Sequence, residues 1–231
     1  MPRTAAAESP LMHGHELLAT LRREAGDRTP VAAMLRHAAR HPIADPQRPE
    51  LAELTDEGRV HAEEFGAGLG GFARVRIFHS PVLRCRQTAE CIAQGGGRAG
   101  TRVEISGAHP ELGIDFIRDL KEAARLSEIH HNHFVRLWFQ GAVPAGVVDP
   151  IPELAARKLA FVRARLGEIS GEAGTLDLHV SHDWNILALR EHFVGVRHEE
   201  AGWLTFLDGL AFRPSEGGLR TVYRGQARVI A

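Results

Sequence analysis

Three short clusters of arginine, histidine and carboxylate carry the chemistry open to this sequence. The first reads Arg36-His37-Ala38-Ala39-Arg40-His41-Pro42, the second His79-Ser80-Pro81-Val82-Leu83-Arg84, and the third Ser181-His182-Asp183. A phosphoryl group in transfer spreads charge over three equatorial oxygens, so it calls for several fixed donors. The guanidinium forks of Arg36, Arg40 and Arg84 suit that need because they never deprotonate and can bind oxyanions in pairs. His182 adds a further donor when it is protonated. His37, flanked by Arg36 and Arg40, is the candidate nucleophile. Neighbouring positive charge disfavours imidazolium and leaves a free lone pair at neutral pH. Histidine can form a covalent intermediate that divides one hard step into two. The departing oxygen then needs a proton, for which Asp183 is the first candidate and Glu111 the second.

Each residue also has a plainer reading. Arg36 and Arg40 could be surface charges and His37 a structural histidine, a reading weakened by the matching clusters elsewhere. Asp183 is well placed to cap a following helix, and Glu111 could be a loop carboxylate. His41 and His79 fall near the clusters and could line the same pocket, or lie in exposed loops. His130, His131 and His133 invite a metal hypothesis, but spacing sends them in different directions and no cysteine is near. No metal site is expected there.

The elements that must position these residues repeat one design. Short apolar or alternating runs at 31–35, at 74–78 and through Leu176, Leu178 and Val180 read as strands. Each delivers a cluster at its C-terminal end. Helices are expected at 13–24 (ended by Gly26 and Pro30), from Thr55 with Val60, Phe65 and Leu69 facing the core, and at 84–94. The last should stop at Gly95-Gly96-Gly97. A further helix runs from Ile186 to Gly195. Residues 154–169 read as an amphipathic helix with Arg157, Lys158, Arg163 and Arg165 on a solvated face. One or two strands are expected within 203–229. Open α/β sheets bind ligands at the carboxyl ends of their strands, so the three clusters should meet in space. An irregular, aromatic-rich stretch at about 112–152 suits a small cap whose Trp138, Phe139 and histidines shape the substrate. An ordinary core helix with its loop is the other reading.

Composition sets the outer bounds. The chain has 231 residues, 44% hydrophobic and 25% charged, with a net charge of -1. That suffices for one large domain, or one with an inserted cap. It argues against general affinity for nucleic acid or anionic membranes. The two cysteines, Cys85 and Cys91, offer no disulfide framework and read as small buried residues. The first ten residues lack a signal-like apolar core, so a cytoplasmic protein acting on a small phosphorylated substrate is expected. Its oligomeric state stays open.

These clusters resemble the motifs of the histidine phosphatase superfamily, also called phosphoglycerate mutase-like. Its Arg-His-Gly motif, often extended to Arg-His-Gly-x-Arg-x-Pro, stands here as Arg36 to Pro42 with Ala38 in place of Gly. Leu54-Thr55-Asp56-Glu57-Gly58 matches Leu-Thr-x-x-Gly. The run from Ser80-Pro81 through Arg84 to Thr88-Ala89 matches Ser-Pro-x-x-Arg-x-x-x-Thr-Ala, and Ser181-His182 the late histidine. The resemblance implies a three-layer α/β/α sandwich with a mostly parallel central sheet and a phosphohistidine at His37. It also implies a phosphate pocket of Arg36, Arg40, Arg84 and His182, with no metal or organic cofactor. The pair His182-Asp183 is similar to the acid phosphatase branch, where the Asp donates the proton, whereas Glu111 stands where the mutase branch has its acid. The Gly-x-Trp-Glu-Gly pattern of typical mutases is missing after Glu111. A metal-independent phosphatase is therefore expected, with a phosphomutase or a non-catalytic phosphoester-binding protein as alternatives.

Overall fold

The computed structural model describes residues 13–25, 29–45, 48–131 and 133–231. The N-terminal stretch and the break expected at Gly26 lie outside these residues. Among the described residues seven strands form one sheet, in the order β3-β2-β4-β1-β5-β6-β7 with the ranges that follow. Strands β1 (Val31–Arg36), β2 (Arg74–His79), β3 (Val103–Ala108) and β4 (Thr175–Ser181) are mutually parallel. Strands β5 (Gly209–Ser215), β6 (Gly218–Tyr223) and β7 (Gln226–Ile230) add an antiparallel meander.

Alternation along β1 explains the layers. Val31, Ala33 and Leu35 pack on one face with α1 (His15–Glu24), α2 (Asp56–Ala67) and α3 (Leu83–Arg98). Ala32 and Met34 pack on the other with α6 (Ile151–Glu168) and α7 (Asp183–Leu189). With both faces covered, all seven residues of β4 are buried, as parallel strands require. Register does the positioning: Arg36 pairs with Ser181 and His79 with Val180, so three strands end at one level.

Several local expectations need correction. Helix α3 does not stop at the glycine run but continues through it to Arg98. Those glycines serve packing: a Cβ on Gly95 would overlap the Glu63 carbonyl, and one on Gly66 the Ile92 carbonyl. The backbones of α2 and α3 can therefore approach closely. Helix α2 starts where expected, Thr55 accepting from Gly58 N at 3.0 Å with Asp56 and Glu57 in the first turn, which suits the helix dipole. Val60, however, points to solvent at 51% exposure, because Gly58, Ala62 and Phe65 define the buried face. Lys158 is not solvated but fully buried, since it shares a stripe with Leu154 and Val162 at four-residue spacing. The C-terminal stretch makes three strands instead of one or two, and the sheet gains an edge strand, β3, whose burial follows no regular alternation.

Residues 110–152 form a 3-10 turn (Pro110–Leu112), α4 (Leu120–His130) and α5 (His133–Phe139) around a small apolar cluster. Trp138 lies inside that cluster, stacked on Phe116 at 4.9 Å and donating from Nε1 to the Asp149 carbonyl at 2.7 Å. At 2% exposure it packs this unit together and is not free to touch a substrate. No helix among the described residues is long and apolar enough to cross a membrane.

Candidate active site

His37 follows the last residue of β1, and its backbone N–H donates to the Ser181 carbonyl at 3.0 Å. That bond ties the first cluster directly to the third. The ring is 3% exposed. Its Nδ1 lies 2.8 Å from the Ala38 carbonyl, which can only accept, so Nδ1 carries the proton. Nε2 is left with its lone pair, and Arg84 Nε donates to it at 3.1 Å. Arg84 also reaches His182 Nδ1 at 3.3 Å and the Pro49 carbonyl at 2.8 Å. His182 in turn donates from Nε2 to Ser80 Oγ at 2.9 Å. The two imidazole centroids are 5.7 Å apart. Residues 37, 84 and 182 therefore form one hydrogen-bonded chain.

Both histidines are held well below the usual imidazole range, mainly by burial. Arg84 comes next for His37, with Arg36 and Arg40 contributing less. The direction argued from the flanking arginines is right, but the larger cause is removal from water. For His182 the next causes after burial are His37 and Arg84. Cys85 touches His182 Nε2 at 3.7 Å, yet burial pushes its thiol up to about 12. It has no thiolate to offer at neutral pH.

Arg36 is pinned from two sides. Its Nη2 pairs with Asp183 Oδ2 at 3.0 Å, its Nη1 donates to the Leu204 carbonyl at 2.5 Å, and the Phe206 ring lies 4.2 Å away. Trp203 Nε1 donates to the same Asp183 oxygen at 3.1 Å, while Asp183 Oδ1 accepts from Trp184 N at 3.0 Å. The capping reading of Asp183 does not hold: His182 occupies the cap position of α7, and Asp183, its first residue, bonds only the adjacent Trp184 amide and braces Arg36. Trp203, Leu204 and Phe206 had no signal in the sequence. They reach Arg36 because Leu207 takes a positive φ of 58° and donates its N–H to the Arg36 carbonyl at 3.1 Å. Such a backbone is costly for a residue with a Cβ.

The remaining candidates are more loosely engaged. Arg40 is close enough to depress Arg36, Arg84 and His37 electrostatically, although its Nη1 donates to the His41 carbonyl at 2.8 Å. Glu111 has a half-exposed side chain, its carboxylate 3.9 Å from His109 Nδ1. His41 is exposed and His79 buried, the latter with Nδ1 2.8 Å from the Ser80 carbonyl. His131 and His133 are exposed at the junction of α4 and α5, with His130 partly buried. Among the described residues, Glu191, His198 and Glu199 bring ligand atoms within 4.8 Å of one another. Arg136 already pairs with both carboxylates at 2.6 Å. Thr88, from the second cluster's motif, holds the loop after His37 by accepting from Ala38 N at 3.1 Å.

With these motifs assembled at the C-terminal ends of β1, β2 and β4, the sequence matches the family model of the histidine phosphatase superfamily (branch 1) over residues 33–210. The chain belongs to that superfamily. The match is to branch 1, so the likeness of His182-Asp183 to the acid phosphatase branch gains no support from it. No curated protein matches the sequence. Solved structures show the same fold at low identity. A phosphoglycerate mutase from Bacillus anthracis is 15% identical with a TM-score of 0.57, covering 90% of this chain and 95% of its own. A mycobacterial hydrolase is 20% identical with a TM-score of 0.57, covering 86% and 100%. A mycobacterial glucosyl-3-phosphoglycerate phosphatase is 17% identical with a TM-score of 0.56, covering 85% and 99%. Membership supports phosphoryl transfer on this α/β sandwich.

Proposed function

We propose that this histidine phosphatase superfamily member is a metal-independent phosphomonoesterase working through a phosphohistidine at His37. The observation that carries the reading is the poised imidazole: neutral, with its proton fixed on Nδ1 and its Nε2 lone pair facing Arg84. A substrate phosphate takes over Arg84 donors now spent on Pro49, His37 and His182. It also finds the Arg36 Nε–H, which is buried without a partner. Arrival of that dianion favours protonation of His182, turning it into a further donor.

His37 Nε2 then attacks phosphorus as the bond to the leaving oxygen breaks, and that oxygen takes a proton from a carboxylic acid. Glu111 suits this duty better than Asp183. Both Asp183 oxygens are already engaged by fixed donors, which fits it to hold Arg36. Glu111 has no such donors and stands half in solvent. Its carboxylate next takes a proton from water. That water attacks phosphorus, the P–N bond breaks, and inorganic phosphate leaves with His37 restored. Residues 112–152 serve as the small cap. A cleft of about 480 Å³ lined by His41, Pro42, Ile43, Arg48 and Leu51 continues from the first cluster and offers room for the leaving group.

The test is turnover of an aryl phosphate by the wild-type protein and by His37→Ala. Loss of at least ~10³-fold is expected, and equal rates remove the mechanism. Mutases and phosphatases share this fold, so the product decides between them. The reading requires release of inorganic phosphate, not transfer to a second hydroxyl.

A further inference from the structure

The turn that carries Glu111 is gripped in an unusual way. Three consecutive carbonyls are each taken by a different side chain. Lys158 Nζ donates to the carbonyl of Glu111, Ser181 Oγ to that of Leu112 at 2.7 Å, and Asn185 Nδ2 to that of Gly113 at 2.7 Å. Asn185 Nδ2 also donates to Ser181 Oγ at 2.9 Å, linking two of the three in series. All three side chains belong to residues with no exposed surface.

The turn does not need this help to exist. Leu112 N already donates to the His109 carbonyl at 3.0 Å and Gly113 N to the Pro110 carbonyl at 2.8 Å. The grip also has costs. Asn185 Oδ1 is buried with no partner, and Lys158 keeps an ammonium in the interior with Asp115 at 2.6 Å as counter-charge. An apolar side chain would avoid both penalties. The value of these groups must lie in what they hold. On its other side the turn abuts the site: a Cβ on Gly113 would sit 3.6 Å from Ser80 Oγ, the acceptor for His182. The turn is wedged between the three donors and the Ser80–His182 pair.

We propose that Lys158, Ser181 and Asn185 are positioning residues that hold the Glu111 turn at the reach needed to protonate the leaving oxygen. This rests on the reading of Glu111 as the proton donor. Their loss slackens the turn by fractions of an ångström, and general-acid catalysis is sensitive to that reach. A slack acid penalises substrates whose leaving oxygen must be protonated and spares those that depart as stable anions.

The experiment compares an alkyl phosphate (glycerol 2-phosphate) with 2,4-dinitrophenyl phosphate in wild type, Ser181→Ala, Asn185→Ala and Lys158→Met. The expected result is a drop of about 30-fold in the alkyl-to-aryl ratio of kcat/KM for Ser181→Ala, with the aryl rate within about threefold of wild type. Retained aryl turnover shows that the fold and the His37 pocket survive; if one variant fails to fold, the others carry the same comparison. Ser181→Thr, which keeps the hydroxyl, should restore the ratio. In the double variant Ser181→Ala/Glu111→Gln the alkyl losses should not multiply, because no acid remains to be positioned. Equal losses on both substrates, or multiplicative losses in the double variant, would overturn the proposal. If His37→Ala keeps full aryl turnover, it is the phosphohistidine reading that fails, independently of the Ser181 result.

Discussion

Arg84 spends its donors on His37, His182 and a backbone carbonyl, and the geometry of that fork matters as much as its charge. A lysine there keeps the charge and loses the planar fork. Arg84→Lys is expected to lower kcat/KM by ~10²-fold or more, read in steady-state kinetics with an aryl phosphate; a loss below tenfold would count against the fork. Asp183 is argued to work through Arg36, not through the leaving group. Asp183→Asn should therefore cost about the same factor, roughly tenfold, on activated aryl and on alkyl phosphates. A loss confined to the alkyl ester would return the acid's role to Asp183. The arginines and histidines of the site were legible as residue types in a pattern. The donors Trp203 and Lys158 were not, although the four-residue spacing of Lys158 from Leu154 and Val162 was a signal available in the sequence.

At the scale of elements, the seam between α2 and α3 sets how closely the second cluster approaches the first. Gly66 and Gly95 allow that approach, whereas Gly97 has open space around its Cα. Gly95→Ala should destabilise by ~2 kcal/mol or more, because the new methyl meets the Glu63 backbone and neither helix can give. Gly97→Ala, inside the same helix, should gain ~0.5–1 kcal/mol from restricted backbone freedom. Urea denaturation of the two variants checks the pair, and similar effects would refute the packing account. The glycine run was read as a helix stop because local propensity favours that reading. Tertiary contact reversed it, since no other residue lets two helix backbones come so near.

For the molecule as a whole, burial of three imidazoles links stability to pH. His37 and His182 are held well below the usual range by burial, and His179, whose ring nitrogens have no partner, is lowered to about 3 by burial and then Arg76. The unfolded chain protonates these rings near pH 6.5 and the folded one does not. Below that pH the unfolded state binds more protons, so stability falls with decreasing pH. The slope is up to ~1.4 kcal/mol per unit for each ring, or about 4 kcal/mol per unit for all three. Above pH 6.5 these groups contribute no slope. Melting temperatures between pH 7.5 and 5 measure this, and a flat profile would contradict it. His179→Leu should remove about a third of the slope.

Residue types and their order determined that an arginine-lined histidine site lies at the C-terminal ends of parallel strands. Strand patterning and helix caps are local signals, and local signals survive in one dimension. Only the tertiary structure decided that Asp183 is tethered to Arg36 and Trp203 while Glu111 stands half in solvent. It also decided that a lysine read as surface is buried, and that burial more than neighbouring charge keeps His37 neutral. Those outcomes depend on solvent exclusion and on which chain segments end up face to face, and both arise only once distant parts of the chain have packed together.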